Sequence, residues 1–285
     1  MTPQKVKHLY IEEQKLKPDI SHLYMVTEKI DGWYCTLHYD HKTLSWGYLT
    51  SRTGRVIPSL KHYTNEVFDK LPILDYDVTL IMEAYIKGKE FHELNGILNR
   101  STRDFKAKDV KFSVHDCLVC KEAAISRYSR IPYIIKDVPC MTRTELLMVS
   151  DSKDLWLRTY RQVINNGGEG VILKRAGSYY QEGKRNSSLM KIKQEESFDL
   201  LCTKVYETKG KKGFSSVNID LIRKDGTEVT VRIGKEEDQT AFINKPDLVV
   251  GKVVEIKCMR ELKDGSLREP VFKAIRYNKN ITEVD

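Results

Sequence analysis

The chain is 285 residues long, 40% hydrophobic and 31% charged, with only 16 Gly and 8 Pro, a balance that excludes disordered, collagen-like and low-complexity proteins. This length accommodates a large domain and a small one, each with its own core. A formal net charge of +8 suits a polyanionic partner, and no apolar run is long enough to span a bilayer.

Residues 1–5 carry no apolar signal core, and the six cysteines are scattered. Reduced thiols and a cytoplasmic location are therefore expected. Cys117-x-x-Cys120 has no second pair at metal-site spacing and lies in an apolar strand, which favours buried thiols over zinc. Residues 1–20 read as a polar, lysine-rich arm or short helix. From 23 to 50 the aromatic and β-branched pattern predicts strands around 24–26, 33–37 and 44–49, joined at Asp31-Gly32 and at 40–42 as an antiparallel meander. Helical spacing is expected over 59–71 and 91–99, and strands over 78–86 and 110–119. Residues 152–166 read as an amphipathic helix with Ser152 as its cap and Gly167-Gly168 as its stop.

Residues 169–174 and 189–193 are short strands, the second with Lys191 and Lys193 on one face by the period of two. Residues 194–197 are the linker, which divides the chain into 1–194 and 195–285. Beyond it, strands near 198–207, 216–223, 228–234, 252–260 and 270–277, with turns at 209–213 and 224–226, predict a small all-β barrel of the oligonucleotide-binding type. The expected class is α+β, an antiparallel-sheet domain followed by that barrel.

No Gly-rich phosphate loop is present, so a nucleotide must be held by another device. Lys29, Arg52, Glu83, Glu169, Lys191 and Lys193 each interrupt an apolar strand or stand at its end. On neighbouring strands they would converge on a cleft as one amine, two carboxylates and three further cations. Lys29 is the candidate nucleophile; it must be neutral to attack, and like charges at Lys191 and Lys193 favour that state. Glu83 and Glu169 offer oxygen ligands to Mg²⁺, and the cations would offset charge on a phosphoryl group. Each has an ordinary structural alternative: a hairpin turn around Lys29, a solvated strand face for Lys191 and Lys193, a salt-bridged core acid for Glu83.

In order along the chain, Glu28-Lys29-Ile30-Asp31-Gly32, Ser51-Arg52-Thr53-Gly54, Met82-Glu83-Ala84, Glu169-Gly170-Val171-Ile172-Leu173-Lys174 and Lys191-Ile192-Lys193 resemble the nucleotidyltransferase motifs of ATP-dependent DNA ligases. Residues 264–272 and Arg276-x-Asn278-Lys279 resemble the end of the small phage- and virus-type members, so the resemblance runs from about 24 to 279. It implies an adenylation domain and a barrel that closes over the nucleotide, ATP and Mg²⁺ as cofactors, and nicked duplex DNA handled by a monomer. Lys29 would attack the α-phosphate of ATP and carry AMP as a phosphoramidate, while Lys191 and Lys193 grip that phosphate. Arg52 would contact the ribose or a phosphate, Glu83 the ribose hydroxyl or a metal, and Glu169 a metal or its waters. Glu28, His115 and Lys174 are carried over as further nucleotide-binding positions, and Arg276 and Lys279 as groups that orient the departing pyrophosphate. AMP would then pass to a 5′-phosphate at a nick, and the adjacent 3′-hydroxyl would displace it.

The sequence departs from the family at three places. Tyr34 stands where the first motif has Arg, His115 precedes Asp116 where the residue stacking on adenine is usually Phe, with Phe112 as the other candidate, and Asn278 replaces Asp. RNA ligases and mRNA-capping guanylyltransferases share the lysine chemistry. A non-catalytic barrel that binds single strands would need aromatic platforms, and residues 198–285 offer few, among them Tyr206, Phe214, Phe242, Phe272 and Tyr277.

Overall fold

The computed structural model describes residues 2–9, 22–89, 91–101, 105–119, 121–209, 215–262 and 265–285. Cys120, Phe214, Asp264, the turn over 210–213 and most of the expected N-terminal arm lie outside the described residues. The chain forms two compact units, residues 1–193 and 194–285.

The first unit contains strands β1 (Lys5–His8), β2 (Tyr24–Glu28), β3 (Trp33–Asp40), β4 (Ser45–Trp46), β5 (Thr50–Ser51), β6 (Val78–Tyr85), β7 (Lys111–Leu118), β8 (Met141–Arg143), β9 (Leu146–Ser150), β10 (Gly170–Arg175) and β11 (Arg185–Lys193). Its helices are α1 (Lys61–Glu66), α2 (Phe91–Leu98), α3 (Ala124–Ile135) and α4 (Lys153–Asn165). The strands form two sheets, ordered β1-β11-β10-β2-β9 and β4-β3-β6-β7-β8, with β5 on β3. Both are mixed: β1 runs parallel to β11 and β8 parallel to β7, while the other pairs are antiparallel.

The expected meander over 23–50 is not formed. β2 pairs with β10 and β9, whereas β3 pairs with β6, β4 and β5, so residues 29–32 carry the chain from one sheet to the other. Two contacts fix this crossover. The Lys29 N–H donates to the Gly170 carbonyl (2.9 Å), extending the β2–β10 ladder by one residue. Gly32 lies so close to β6 that a Cβ would stand 2.8 Å from the Ala84 carbonyl oxygen. Glycine is needed here for close approach.

Alternation along the strands then decides which faces carry charge. One face of the first sheet packs under α4, whose Trp156, Tyr160 and Val163 meet Tyr24, Val26, Val171, Leu173, Met190 and Ile192. Ser152 Oγ accepts from the Leu155 N–H at 3.4 Å, so the helix starts where its cap residue predicts. The Trp156 indole donates to the Ser150 carbonyl at 3.0 Å and meets Tyr24 edge-on at 5.1 Å. Burial of each such side chain contributes about 1.5–3 kcal/mol. In the second sheet Leu37, Leu80, Met82 and Val114 pack against Leu94 of α2 and Ile131 of α3.

The second unit contains β12 (Glu196–Lys209), β13 (Ser215–Ile222), β14 (Glu228–Arg232), α5 (Glu236–Asn244), β15 (Val253–Cys258), β16 (Arg260–Glu261), β17 (Leu267–Arg268) and β18 (Val271–Ile275). Five strands make an antiparallel sheet ordered β14-β13-β12-β15-β18, and its outer strands β14 and β18 also touch. A register shift between Cys202 and Lys204 bends β12 between its two partners, over a core that includes Leu200, Ile219, Val231, Val254 and Ile256. Among the described residues no helix is long and apolar enough to cross a membrane.

Candidate active site

Because β2 and β10 are neighbours, Lys29 at the end of one and Glu169 at the start of the other emerge side by side, and Lys29 Nζ forms an ion pair with Glu169 Oε2. The lysine side chain is 21% exposed and the glutamate 8%, so the amine is the more reachable member. Gly170 permits the arrangement: its φ is +150°, and a Cβ there would strike the Ile192 carbonyl of β11. Lys191 and Lys193 stand in register with Ile172 and Gly170, while Met190 and Ile192, which alternate with them, go under α4. Both lysines thus share the face turned away from α4.

Glu83 comes from the second sheet, on β6 opposite Tyr34 of β3, and feels Lys29, Arg52 and Glu169 electrostatically. Burial pushes its carboxyl up to about 8, against the lowering pull of Lys29 and Arg52. Arg52, one residue past β5, is exposed, with its guanidinium carbon 5.1 Å from the centroid of the Tyr34 ring. Glu28 is not brought to this group. Its strand alternation sends it to the α4 side with Tyr24 and Val26, beside Gly168, where burial and Glu145 raise its carboxyl.

The other end of β10 holds a different cluster. Lys174 Nζ donates to Asp116 Oδ2 at 2.7 Å and to the His115 carbonyl at 2.8 Å, and Arg127 of α3 closes on the same carboxylate at 2.8 and 3.1 Å. Burial pushes Asp116 up, but Lys174 and Arg127 outweigh it and hold the carboxyl far below the usual range. The Lys174 amine is therefore committed to joining the two sheets, although its place in the Glu169–Lys174 segment had grouped it with the nucleotide-binding positions. Burial, then the Lys174 charge, lowers His115 to about 3, so its imidazole is neutral, 6.5 Å from the Tyr34 ring. Phe112 points the other way, edge-on to Tyr63 at 5.0 Å in the core. Of the two aromatic candidates His115 alone lies near the cleft residues. A cavity of about 500 Å³ beyond Lys174, lined by Leu23, Arg175, Ser178 and Ser188, holds none of the candidates. It begins five residues along β10 from Gly170, roughly 16 Å.

Arg276 and Lys279 belong to the second unit, where their partners are acidic. Lys279 Nζ lies 2.5 Å from Asp199 Oδ2, and Arg276 lies 3.1 Å from Glu255 Oε2 and 3.5 Å from Asp199 Oδ1. The hydrogen bond to Asp199 raises the Lys279 pKa.

Glu83 and Glu169 fit a hard divalent cation as a partial site. They supply oxygen only, positive charge would relieve the buried Glu83, and two protein ligands leave positions for water and phosphate oxygens. Asp40, His41 and Asp77 also gather three ligating groups, but at the far end of β3 from this cleft.

A lysine held by a carboxylate at the junction of two sheets, with a second carboxylate and cations around it, is the setting in which the ordered motifs acquire meaning. A model of the ATP dependent DNA ligase domain matches residues 6–193. The chain belongs to that family. DNA ligase 4 of Kluyveromyces lactis is 24% identical over 229 residues, 70% of this chain but 25% of that protein, so the chain spans a quarter of its curated relative. A solved Lig E DNA ligase, from work on DNA binding with a minimal scaffold, superposes with a TM-score of 0.73 at 21% identity, covering 97% of this chain and 99% of that one. The ATP-dependent DNA ligase of bacteriophage T7, solved with ATP, gives 0.56 at 18% identity over 96% and 98% of the two chains. These likenesses establish the fold; the roles of individual residues in this chain rest on their geometry.

Proposed function

We propose that this ligase-family chain seals 5′-phosphate/3′-hydroxyl nicks in duplex DNA, as a monomer, through AMP carried on Lys29. The observation that carries the reading is the Lys29–Glu169 pair at the crossover between the sheets, with Glu83 and Arg52 within electrostatic reach. Lys29 Nζ attacks the α-phosphorus of ATP; a P–N bond forms and the bond to pyrophosphate breaks. The amine must shed a proton to attack, and Glu169 Oε2, already its hydrogen-bond acceptor, is placed to take it. Lys191 and Lys193 offset charge on the α-phosphate, and the neutral His115 ring offers the base a flat face without a competing charge. The 5′-phosphate of the nick then takes AMP, which breaks the P–N bond and restores the amine. The 3′-hydroxyl then attacks the phosphorus of the nick's 5′-phosphate and gives up its proton; the new phosphodiester P–O bond forms as the P–O bond to AMP breaks, and AMP leaves. Glu83 and Glu169 would hold Mg²⁺, whose contribution is to neutralise phosphate charge.

The same reading makes the second unit an oligonucleotide-binding-type barrel. Its five-strand order, the bend in β12 and the approach of β14 to β18 support this. To orient pyrophosphate, Arg276 and Lys279 must exchange Asp199 and Glu255 for phosphate oxygens. The net charge of +8 suits a nucleic-acid substrate.

The test is incubation with α-labelled ATP or GTP and Mg²⁺. Covalent label from ATP that is absent in Lys29→Ala supports the reading; label from GTP alone points to capping, and no label from either sinks it. Lys193→Ala should block labelling while nicked-DNA binding stays within about twofold, since one phosphate contact in a large interface is lost. Equal loss of both would contradict its assigned role. Sealing of nicked DNA against nicked RNA then decides the substrate.

A further inference from the structure

No step of the proposed reaction uses Tyr34, although it lies beside Glu83 and Arg52. It is 9% exposed, held on β3 opposite Glu83, and its ring lies beneath the Arg52 guanidinium. The hydroxyl is buried and turned toward that of Tyr180 without an aligned hydrogen bond, while Tyr180 accepts from the Gln4 N–H at 2.8 Å. Arg52 stands on an exposed turn, and among the described residues no carboxylate lies within salt-bridge distance of it.

An exposed arginine loses much rotamer freedom when it binds, and an anchor removes that cost in advance. A carboxylate anchor would neutralise the guanidinium and compete with an incoming phosphate. An aromatic face holds the cation while leaving its N–H donors and its charge available. We propose that Tyr34 is a positioning residue: its ring, not its hydroxyl, holds the Arg52 guanidinium at the cleft for a phosphate group of the substrate. The proposal rests on the ligase reading above.

Two assays separate the possible phosphates: formation of lysyl-AMP from ATP, and sealing of nicked DNA by enzyme already carrying AMP. Tyr34→Phe keeps the ring and should stay within about twofold in both, because the hydroxyl it removes has no aligned partner. Tyr34→Met, close in volume but without a π face, should raise KM roughly five- to tenfold in the same assay that Arg52→Ala impairs. The double variant should be no worse than Arg52→Ala alone, because the ring acts only through the guanidinium. Equal losses for Phe and Met would assign the effect to the hydroxyl and overturn the proposal. So would losses that multiply in the double variant, or no loss in Met. Should Tyr34→Met not fold, the Phe variant still decides between ring and hydroxyl, and Tyr34→Trp, which keeps a π face, must retain the KM of the parent. Wild-type protein that takes no label from ATP rejects the ligase reading and with it this use of Arg52. Normal wild-type labelling with the variant pattern reversed rejects the Tyr34 proposal alone.

Discussion

Lys29 pairs with Glu169 where β10 begins, and Lys174 pairs with Asp116 where β10 ends, so one strand carries two lysine–carboxylate pairs in opposite settings. Around Asp116 there are two cations, Lys174 and Arg127, and the spare donor capacity of Lys174 goes to the His115 carbonyl. All three side chains are nearly enclosed, with Asp116 4%, Arg127 3% and Lys174 13% exposed. Around Lys29 the third group is another carboxylate, Glu83, and the amine is the more open member of its pair. The first cluster is satisfied and joins the two sheets through α3. The second has surplus acid that a cation would relieve and an amine that a phosphoryl group can reach. Pair chemistry alone does not separate structure from catalysis; the third partner does.

The two pairs should respond oppositely to removal of one partner. Lys29→Ala should lower lysyl-AMP formation by more than about 10³-fold, since it removes the amine on which the phosphoramidate forms. Its unfolding free energy should fall by less than in Asp116→Ala, because it leaves one buried carboxylate unpaired beside an amine position that is 21% exposed, where the other leaves two enclosed cations. Asp116→Ala reverses the pattern. It strands Lys174 and Arg127 as uncompensated buried cations, and denaturant unfolding should show a loss of about 3–5 kcal/mol. Equal stability losses in the two variants would show that Lys29–Glu169 is also a structural strut.

The ordered motifs and the capped helix over 152–166 were legible because each is local: a spacing, a cap, a period of two. What the sequence hid was pairing. Asp31-Gly32 has the composition of a hairpin turn, yet β2 and β3 belong to different sheets, because β10, some 140 residues later, takes the place beside β2. That long-range choice is also what puts Lys29 at a junction instead of on a loop tip. Helix α3 was invisible for a related reason: Pro132 interrupts it and Ala123 offers no cap, while the buried stripe of Ala124, Tyr128, Ile131 and Ile135 holds it in place. Without α3 nothing sets Arg127 against Asp116, and Lys174 stands among the nucleotide-binding positions only through the family resemblance. Tyr34 departs visibly from the family pattern, but its place beneath Arg52 depends on the pairing of β3 with β5.

The smallest effect concerns the charge on Glu83 and sharpens the contrast with Asp116. The Asp116 pKa is depressed on folding, so its contribution to stability is present above the ordinary value of 3.8 and is lost as pH falls through the depressed one. Glu83 has the opposite sign. Its folded value is raised from 4.5 to about 8, so the native state holds the extra proton and stability falls as pH rises through that window. His115, lowered from 6.5 to about 3, makes stability rise with pH below 6.5 and partly hides the Glu83 slope there. Between pH 6.5 and 8 the Glu83 slope stands without that offset. Without divalent metal, the wild type should lose roughly 2 kcal/mol across that interval, the equivalent of about 1.5 units of pH for one proton. Glu83→Gln, which cannot ionise, should flatten the curve there and leave the acid limb governed by Asp116 in place. Added Mg²⁺ should flatten the wild-type curve as well, by favouring the ionised carboxylate, and should do nothing to the Gln variant. A slope that persists in Glu83→Gln would move the proton to another group and remove the surplus-acid half of the comparison.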